Sequence, residues 1–192
     1  HILVNCSYCD SSNKMKIPAM VLIAQEIGFN GAEIIGYGVD KVLHKNMSWI
    51  ITSSKLVLNE RANYSDYVDI VTYPNPSNRF IYPRQYRMID KDGKILFTMM
   101  SNFALTNSET HRILLPSQPG LDLNTWDKLE GEISSIIPLH ELEDLQFVYS
   151  FKVRYNDIDI NHHMNNVKYV ESVMNVHDSD WYENHPIKEF QL

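Results

Sequence analysis

The stretch from Ile17 to Gly36 does most to limit what this chain can become. Pro18 suits the first turn of a helix, and Ala19 to Ile27 contains neither Gly nor Pro. Met20, Val21, Ile23, Ala24 and Ile27 fill one broad apolar face, wide enough to demand burial against a sheet. Gly28, Gly31 and Gly36 punctuate the later half, so the helix is expected to break in two. Strand-like runs follow. Ser48 to Leu58 is rich in β-branched and aromatic residues, and Asp69 to Tyr73 is a shorter run ending at Pro74. Phe80 to Ile89 joins Ile95 to Leu105 through Asp90-Lys91-Asp92-Gly93, which is a hairpin signal. One long helix followed by antiparallel strands predicts an α+β unit, its sheet wrapped about the helix.

Beyond Leu115 the pattern decays. Pro116, Pro119, Gly120, Gly131 and Pro138 interrupt an acidic stretch, read as a linker with one short helix near Trp126. Phe147 to Tyr155 then alternates like a strand, and Asn165 to Asn175 returns to helical spacing with Val167, Val170, Val173 and Met174 on one side. The order strand, polar loop, buried helix therefore occurs twice. A shift of 147 residues lays Tyr8-Cys9-Asp10 on Tyr155-Asn156-Asp157 and sets Ser12, Lys14 and Lys16 opposite Asp159, Asn161 and His163. On that register only the second copy carries chemistry.

Bulk properties remove several classes. The net charge is −7 over 192 residues, which argues against a nucleic-acid partner. No apolar run approaches the roughly 20 residues that span a bilayer, and no charged segment leads into an apolar one as in a signal peptide, so a soluble cytoplasmic protein with no membrane partner is expected. Arg79, Arg84, Arg87, Lys91 and Lys94 make a locally basic stretch. It reads as a solvated face or as a landing patch for an acidic partner. Cys6 and Cys9 form C-x-x-C inside a strand expected from Ile2 to Tyr8; without a second cysteine pair they read as incidental thiols.

The densest set of reactive side chains runs from Arg154 to Asn166. Asp159, Asn161 and His163 alternate, so an extended segment would project them to one side. A helix begins just after, with Asn161 or Asn165 as its cap, and its free N–H groups and positive dipole end would face the same way. A base, a carboxylate, an amide and an anion site together suit addition to a carbonyl, where an oxyanion must be stabilised. Turn and cap duty is the plainer role for each of these residues alone. His162, His163, Asp157 and Asp159 are ligand types, but no H-x-x-x-H or H-E-x-x-H spacing accompanies them, so no metal or other cofactor is expected.

At these residues the chain resembles the acyl-acyl carrier protein thioesterase family. Phe151 to Tyr155, then Asp157-Ile158-Asp159-Ile160-Asn161-His162-His163-Met164-Asn165-Asn166-Val167-Lys168-Tyr169, looks like that family's R-x-x-D-x-D-x-N-x-H-V-N-N-x-x-Y motif, with Met164 in place of its Val. Met47-Ser48-Trp49-Ile50-Ile51 and the hairpin at Gly93 sit where the family places its first repeat. The resemblance implies a double hot-dog fold, in which each copy is a long helix wrapped by an antiparallel sheet. Residues 1–115 would be the acyl-binding copy, 116–145 the linker, and 146–192 the start of the catalytic copy, incomplete at Leu192 and short of a further catalytic acid.

The implied activity is hydrolysis of fatty acyl-acyl carrier protein to free fatty acid, ending chain elongation. Asp159, Asn161 and His163 carry over as catalytic residues, and Met20, Ala24 and Trp49 are expected to line the acyl site. Acyl carrier protein is the expected partner, and a homodimer is a further expectation because hot-dog sheets often pair. Two alternatives stand beside this one: an acyl-CoA thioesterase of the same fold, and a non-catalytic acyl-binding module.

Overall fold

The computed structural model describes residues 1–115, 125, 132–138 and 144–192. Its main helix, α1 (Ile17–Ile34), is one unbroken rod, where the glycines had suggested two pieces. Packing explains the difference. A Cβ on Gly28 would stand 2.6 Å from the Tyr86 hydroxyl, and one on Gly31 would stand 3.1 Å from Nη1 of Arg84. These glycines let the helix approach the sheet, at a cost in helix propensity that burial repays. The later glycine ends the helical region instead: Gly36 has φ of +80°, and its N–H bonds the Glu33 carbonyl at 2.9 Å. A short helix, α2 (Val39–Leu43), follows.

The strands are β1 (Ile2–Leu3), β2 (Met47–Leu58), β3 (Tyr67–Pro74), β4 (Tyr82–Asp90), β5 (Ile95–Asn107) and β6 (Glu189–Gln191). Among the described residues they form one antiparallel sheet in the order β1-β3-β4-β5-β2-β6. The β4–β5 hairpin forms as expected. Asp90 accepts the N–H groups of Asp92 and Lys94 at 2.9 Å each, and Gly93 supplies the left-handed residue at φ +81°. α1 lies across the sheet, with Met20, Val21, Ile23 and Ala24 buried against Leu56, Tyr86, Met88, Phe97 and Met99.

The second region docks onto this unit. Its helices are α3 (Asn166–Met174) and α4 (Ser179–Asn184). Val167 and Val170 of α3 belong to the same core as α1. β6 adds to the free edge of β2, pairing Leu56 with Phe190, and Lys55 bridges Glu189 at 2.8 Å.

Two expected strands are absent or shorter. From Ile2 to Tyr8 only Ile2–Leu3 pair, because the chain must leave the sheet edge to reach α1; Cys6–Tyr8 form a 3₁₀ turn, and Cys6 within it and Cys9 just after it are free thiols. Phe147 to Tyr155 is not a strand: its backbone finds no ladder partner among the described residues, and Leu145, Phe147, Phe151 and Val153 are exposed. The short helix expected near Trp126 lies outside the described residues. Among them, no helix is long and apolar enough to cross a membrane.

The close approach at Gly28 can be tested directly. The Tyr86 ring is 2% exposed and cannot yield, so Gly28→Ala should lose about 1–3 kcal/mol by overpacking, against a gain of at most about 1 kcal/mol from helix propensity. Urea denaturation should show a net loss, partly recovered when Tyr86→Phe is added.

Candidate functional site

The reactive cluster sits on a closed turn, and the extended run expected from its alternation is not formed. Asp159 donates its N–H to the His163 carbonyl at 2.9 Å, and His162 donates to the Asp159 carbonyl at 3.0 Å. Oδ1 of Asp159 takes the N–H of Asn161 at 2.8 Å, an Asx turn that fixes the carboxylate. His162 carries the strain at φ +60°. A bridge between Ile158 and Met164 closes the base. The turn follows from physical necessity: a chain leaving a 3₁₀ turn at Tyr155–Asp157 must reverse before α3 starts.

The turn assigns roles within the motif. Asp157 is structural, its Oδ2 accepting the Arg154 N–H at 2.8 Å while its carbonyl takes the Asn165 N–H at 2.8 Å. Of the two expected caps, Asn165 serves: its side chain accepts the Val167 N–H at 2.9 Å. That leaves the N–H of Asn166 without a partner among the described residues at the positive end of α3. Asp159 and Asn161 are half-buried and joined by one hydrogen bond, and His163 is exposed. The Asp159 carboxylate and the His163 ring do not bond each other among the described residues; only their backbones do. The arrangement can offer a fixed carboxylate, a solvent-facing base and a helix-end donor to a carbonyl.

The same turn occurs near the start of the chain. Asp10 N–H bonds the Lys14 carbonyl at 2.9 Å, Asn13 N–H bonds the Asp10 carbonyl at 3.1 Å, and Ser12 N–H bonds Oδ1 of Asp10 at 2.9 Å. Cys9 bridges Met15, Lys16 N–H bonds the Tyr8 carbonyl at 2.8 Å, and Asn13 has φ of +61°. Each of these has its counterpart 149 residues later. The register of 147 read from side-chain identity is therefore corrected by two. Asp10, Ser12 and Lys14 stand where Asp159, Asn161 and His163 stand, and Lys16 stands at the cap position of Asn165. The first copy has thus kept the aspartate and lost the amide, the imidazole and the cap.

What surrounds the two aspartates differs. Arg61 forms an ion pair with Asp10, and the Ser12 hydroxyl donates to Asp10 at 2.7 Å. Burial raises the Asp10 pKa, but the hydrogen bonds from Ser12, Arg61 and the Lys14 N–H outweigh it and hold the carboxyl below its ordinary value. Among the described residues no cation pairs with Asp159. Beside this first turn, burial and the nearby Asp10 push the Cys9 thiol up, away from thiolate reactivity.

The expected acyl-site residues separate. Met20 and Ala24 are wholly buried in the principal core, and Trp49 lines an apolar cavity with Phe29, Tyr82 and Phe103. The basic stretch is not a continuous patch: Arg84 is buried and Lys94 is paired with Glu60, which leaves Arg79 and Lys91 exposed. One feature escaped the sequence reading, and a second, Arg84, was placed by it in the basic stretch although it is buried. Arg61 lies 51 positions from its aspartate and gave no local signal. Arg84 did give one, because strand alternation puts it on the same face as Tyr82 and Tyr86.

Known proteins share this organisation. A model of the acyl-ACP thioesterase N-terminal domain matches residues 2–115, and one of the C-terminal domain matches residues 140–192. A chloroplastic dodecanoyl-[acyl-carrier-protein] hydrolase of Umbellularia californica is 26% identical over 181 residues, covering 88% of this chain and 47% of its own length. The chain thus spans about half the length of the curated relatives it matches. Among solved structures, an acyl-ACP thioesterase from Bacteroides thetaiotaomicron superposes with a TM-score of 0.85 at 22% identity, over 99% of this chain and 77% of that one. The 12:0-ACP thioesterase from Umbellularia californica gives 0.81 at 23%, over 99% and 78%. These likenesses establish the hot-dog fold.

The clamp on Asp10 predicts a stability that depends on pH. Because the folded carboxyl titrates below the ordinary value near 3.9, its contribution is present above about pH 4 and lost as pH falls through the depressed value. Arg61→Ala should cost about 1–2 kcal/mol at pH 7 in urea denaturation, and the difference from wild type should shrink as the pH falls below about 4 through the depressed value.

Proposed function

The chain belongs to the acyl-ACP thioesterase family, and on that premise we propose that it hydrolyses the thioester of a fatty acyl group on acyl carrier protein, releasing free fatty acid. The observation that carries this reading is the Asp159–His163 turn, which lies inside the stretch matched by the C-terminal domain model and sets its polar groups at the start of α3. Residues 1–115 hold the acyl chain in this reading, and 146–192 carry the chemistry.

The reaction needs a C–O bond made and a C–S bond broken, with a proton taken from water and given to the leaving thiolate. His163 takes the water proton and returns it to sulfur. Asp159, fixed by the Asn161 N–H, supplies the negative charge that steadies the imidazolium. The Asn161 side chain holds the water, and the free Asn166 N–H at the helix end supports the developing oxyanion. The choice of carrier protein over CoA rests on the family model, since both present the same phosphopantetheine arm. One relative named above is chloroplastic; a cytoplasmic location for this chain is part of the proposal, and fractionation decides it.

Two aspartates in one turn geometry make a sharp test. Asp159→Ala should cut release of fatty acid from acyl carrier protein thioesters by about 10²–10⁴ with an unchanged circular dichroism spectrum. Asp10→Ala should stay within a few-fold of wild type. Equal loss in both variants would remove the assignment of chemistry to the second turn, and faster turnover of acyl-CoA would move the donor from carrier protein to CoA.

A further inference from the structure

The inner face of α1 carries one amide where its neighbours are apolar. Gln25 is 7% exposed and follows Met20, Val21, Ile23 and Ala24, all buried, along the same helix. Its side chain makes no hydrogen bond among the described residues. An amide carries two N–H donors and an acceptor, and burying it without a partner costs about 1–3 kcal/mol. An apolar side chain would stabilise this position more, so folding alone does not call for a glutamine here.

What it faces is the start of α3. Gln25 lines a gap of about 10 Å³ with Val21, Ser54, Asn166, Val170 and Phe190. That is about the space taken by one water or one carbonyl oxygen. The walls are apolar apart from Gln25, Asn166 and Ser54, and the Ser54 hydroxyl is already bonded to Ser101 at 2.8 Å. Asn166 is the first residue of α3, and its N–H is unpartnered among the described residues at the positive end of that helix. Residues with unanswered donors, one from each copy, therefore border one oxygen-sized space. On its other side Gln25 borders the apolar cavity that holds Trp49, Tyr82 and Phe103, and no other described residue lines both spaces. Gln25 thus stands between the reactive turn and the apolar cavity.

We propose that Gln25 is a catalytic residue of the second copy's site, its side-chain N–H donating with the Asn166 N–H to the thioester carbonyl oxygen. As the water oxygen bonds to the carbonyl carbon, the π pair of the C=O bond moves onto that oxygen as negative charge. It returns when the C–S bond breaks and the thiolate takes its proton from His163. Two fixed donors in an apolar-walled gap stabilise that charge more than they stabilise the starting carbonyl, which lowers the barrier. The methylenes then run past Gln25 toward Trp49 and Phe103. This inference rests on the thioesterase reading above and deepens it: the first copy contributes to the chemistry and does not only hold the chain.

The test is steady-state hydrolysis of dodecanoyl-acyl carrier protein by the full chain. Gln25→Met keeps the length and volume of the side chain and removes the amide. Its kcat should fall about 10²–10³-fold with KM within about three-fold of wild type. Turnover within about three-fold of wild type overturns the proposal and leaves the thioesterase reading standing; so does a loss shared between kcat and KM that tracks a lower urea midpoint, the mark of a structural role. If Gln25→Met does not fold, Gln25→Asn, which withdraws the amide by one methylene, should lose at least about ten-fold in kcat, and wild-type turnover in it overturns the proposal. Binding gives a second readout. The probes are a dodecanoyl-pantetheine with a methylene between sulfur and carbonyl, a ketone that cannot be hydrolysed, and the same molecule with the carbonyl reduced to methylene. Wild type should bind the ketone about five-fold more tightly by calorimetry, and Gln25→Met should bind the two within about two-fold. If wild type hydrolyses neither carrier-protein nor CoA thioesters, the thioesterase reading falls, and equal binding of the two probes overturns the carbonyl contact as well.

Discussion

The seat of α1 on the sheet is the contact on which the rest depends. Its inner face buries Met20, Val21, Ile23 and Ala24 against Tyr86, Phe97 and Met99, and each large side chain so buried stabilises by about 1.5–3 kcal/mol. Gly28 and Gly31 set the distance, because only a missing Cβ lets Tyr86 and Arg84 reach under the helix. From that distance follow the cavity beside Trp49 and the surface that α3 covers with Val167 and Val170. The second region has no separate core among the described residues; it borrows this one.

The two turns show how one backbone solution outlives its side chains. Asp10 and Asp159 each close the same loop by accepting an N–H two residues on. An aspartate is therefore wanted at this position for folding, whether or not chemistry happens there. In the first copy Arg61 and Ser12 occupy the carboxylate, and lysines replace the histidine and the cap. In the second, the carboxylate has no cation against it among the described residues, and Asn165 caps the helix.

How far the sequence could be read depended on whether the deciding interaction was local. Asp90 to Gly93 was legible because a side-chain acceptor and a left-handed glycine define the turn within a few residues. The Asn165 cap was legible for the same reason. The helix was misjudged at Gly28 and Gly31, where a strand far along the chain sets the requirement and propensity does not. The repeat was misaligned because three paired residues, Tyr8 to Asp10 on Tyr155 to Asp157, outweighed a hydrogen-bond pattern that no letter records. The alternation of Phe147 to Tyr155 is a true strand pattern, but pairing needs a second strand, and no single segment can supply it.

The pairing of β2 with β6 also has a consequence in time. Lys55 meets Gln191 across 136 positions, a contact of long loop-closure distance that forms late. During synthesis the first unit can complete β1 to β5 while the outer edge of β2 still shows unpaired N–H and C=O groups. That edge is a template for a wrong strand until residues 189–192 arrive. Lys55, beside it on the same strand, keeps a charge there in the interval, and Glu189 neutralises it only when the right strand arrives.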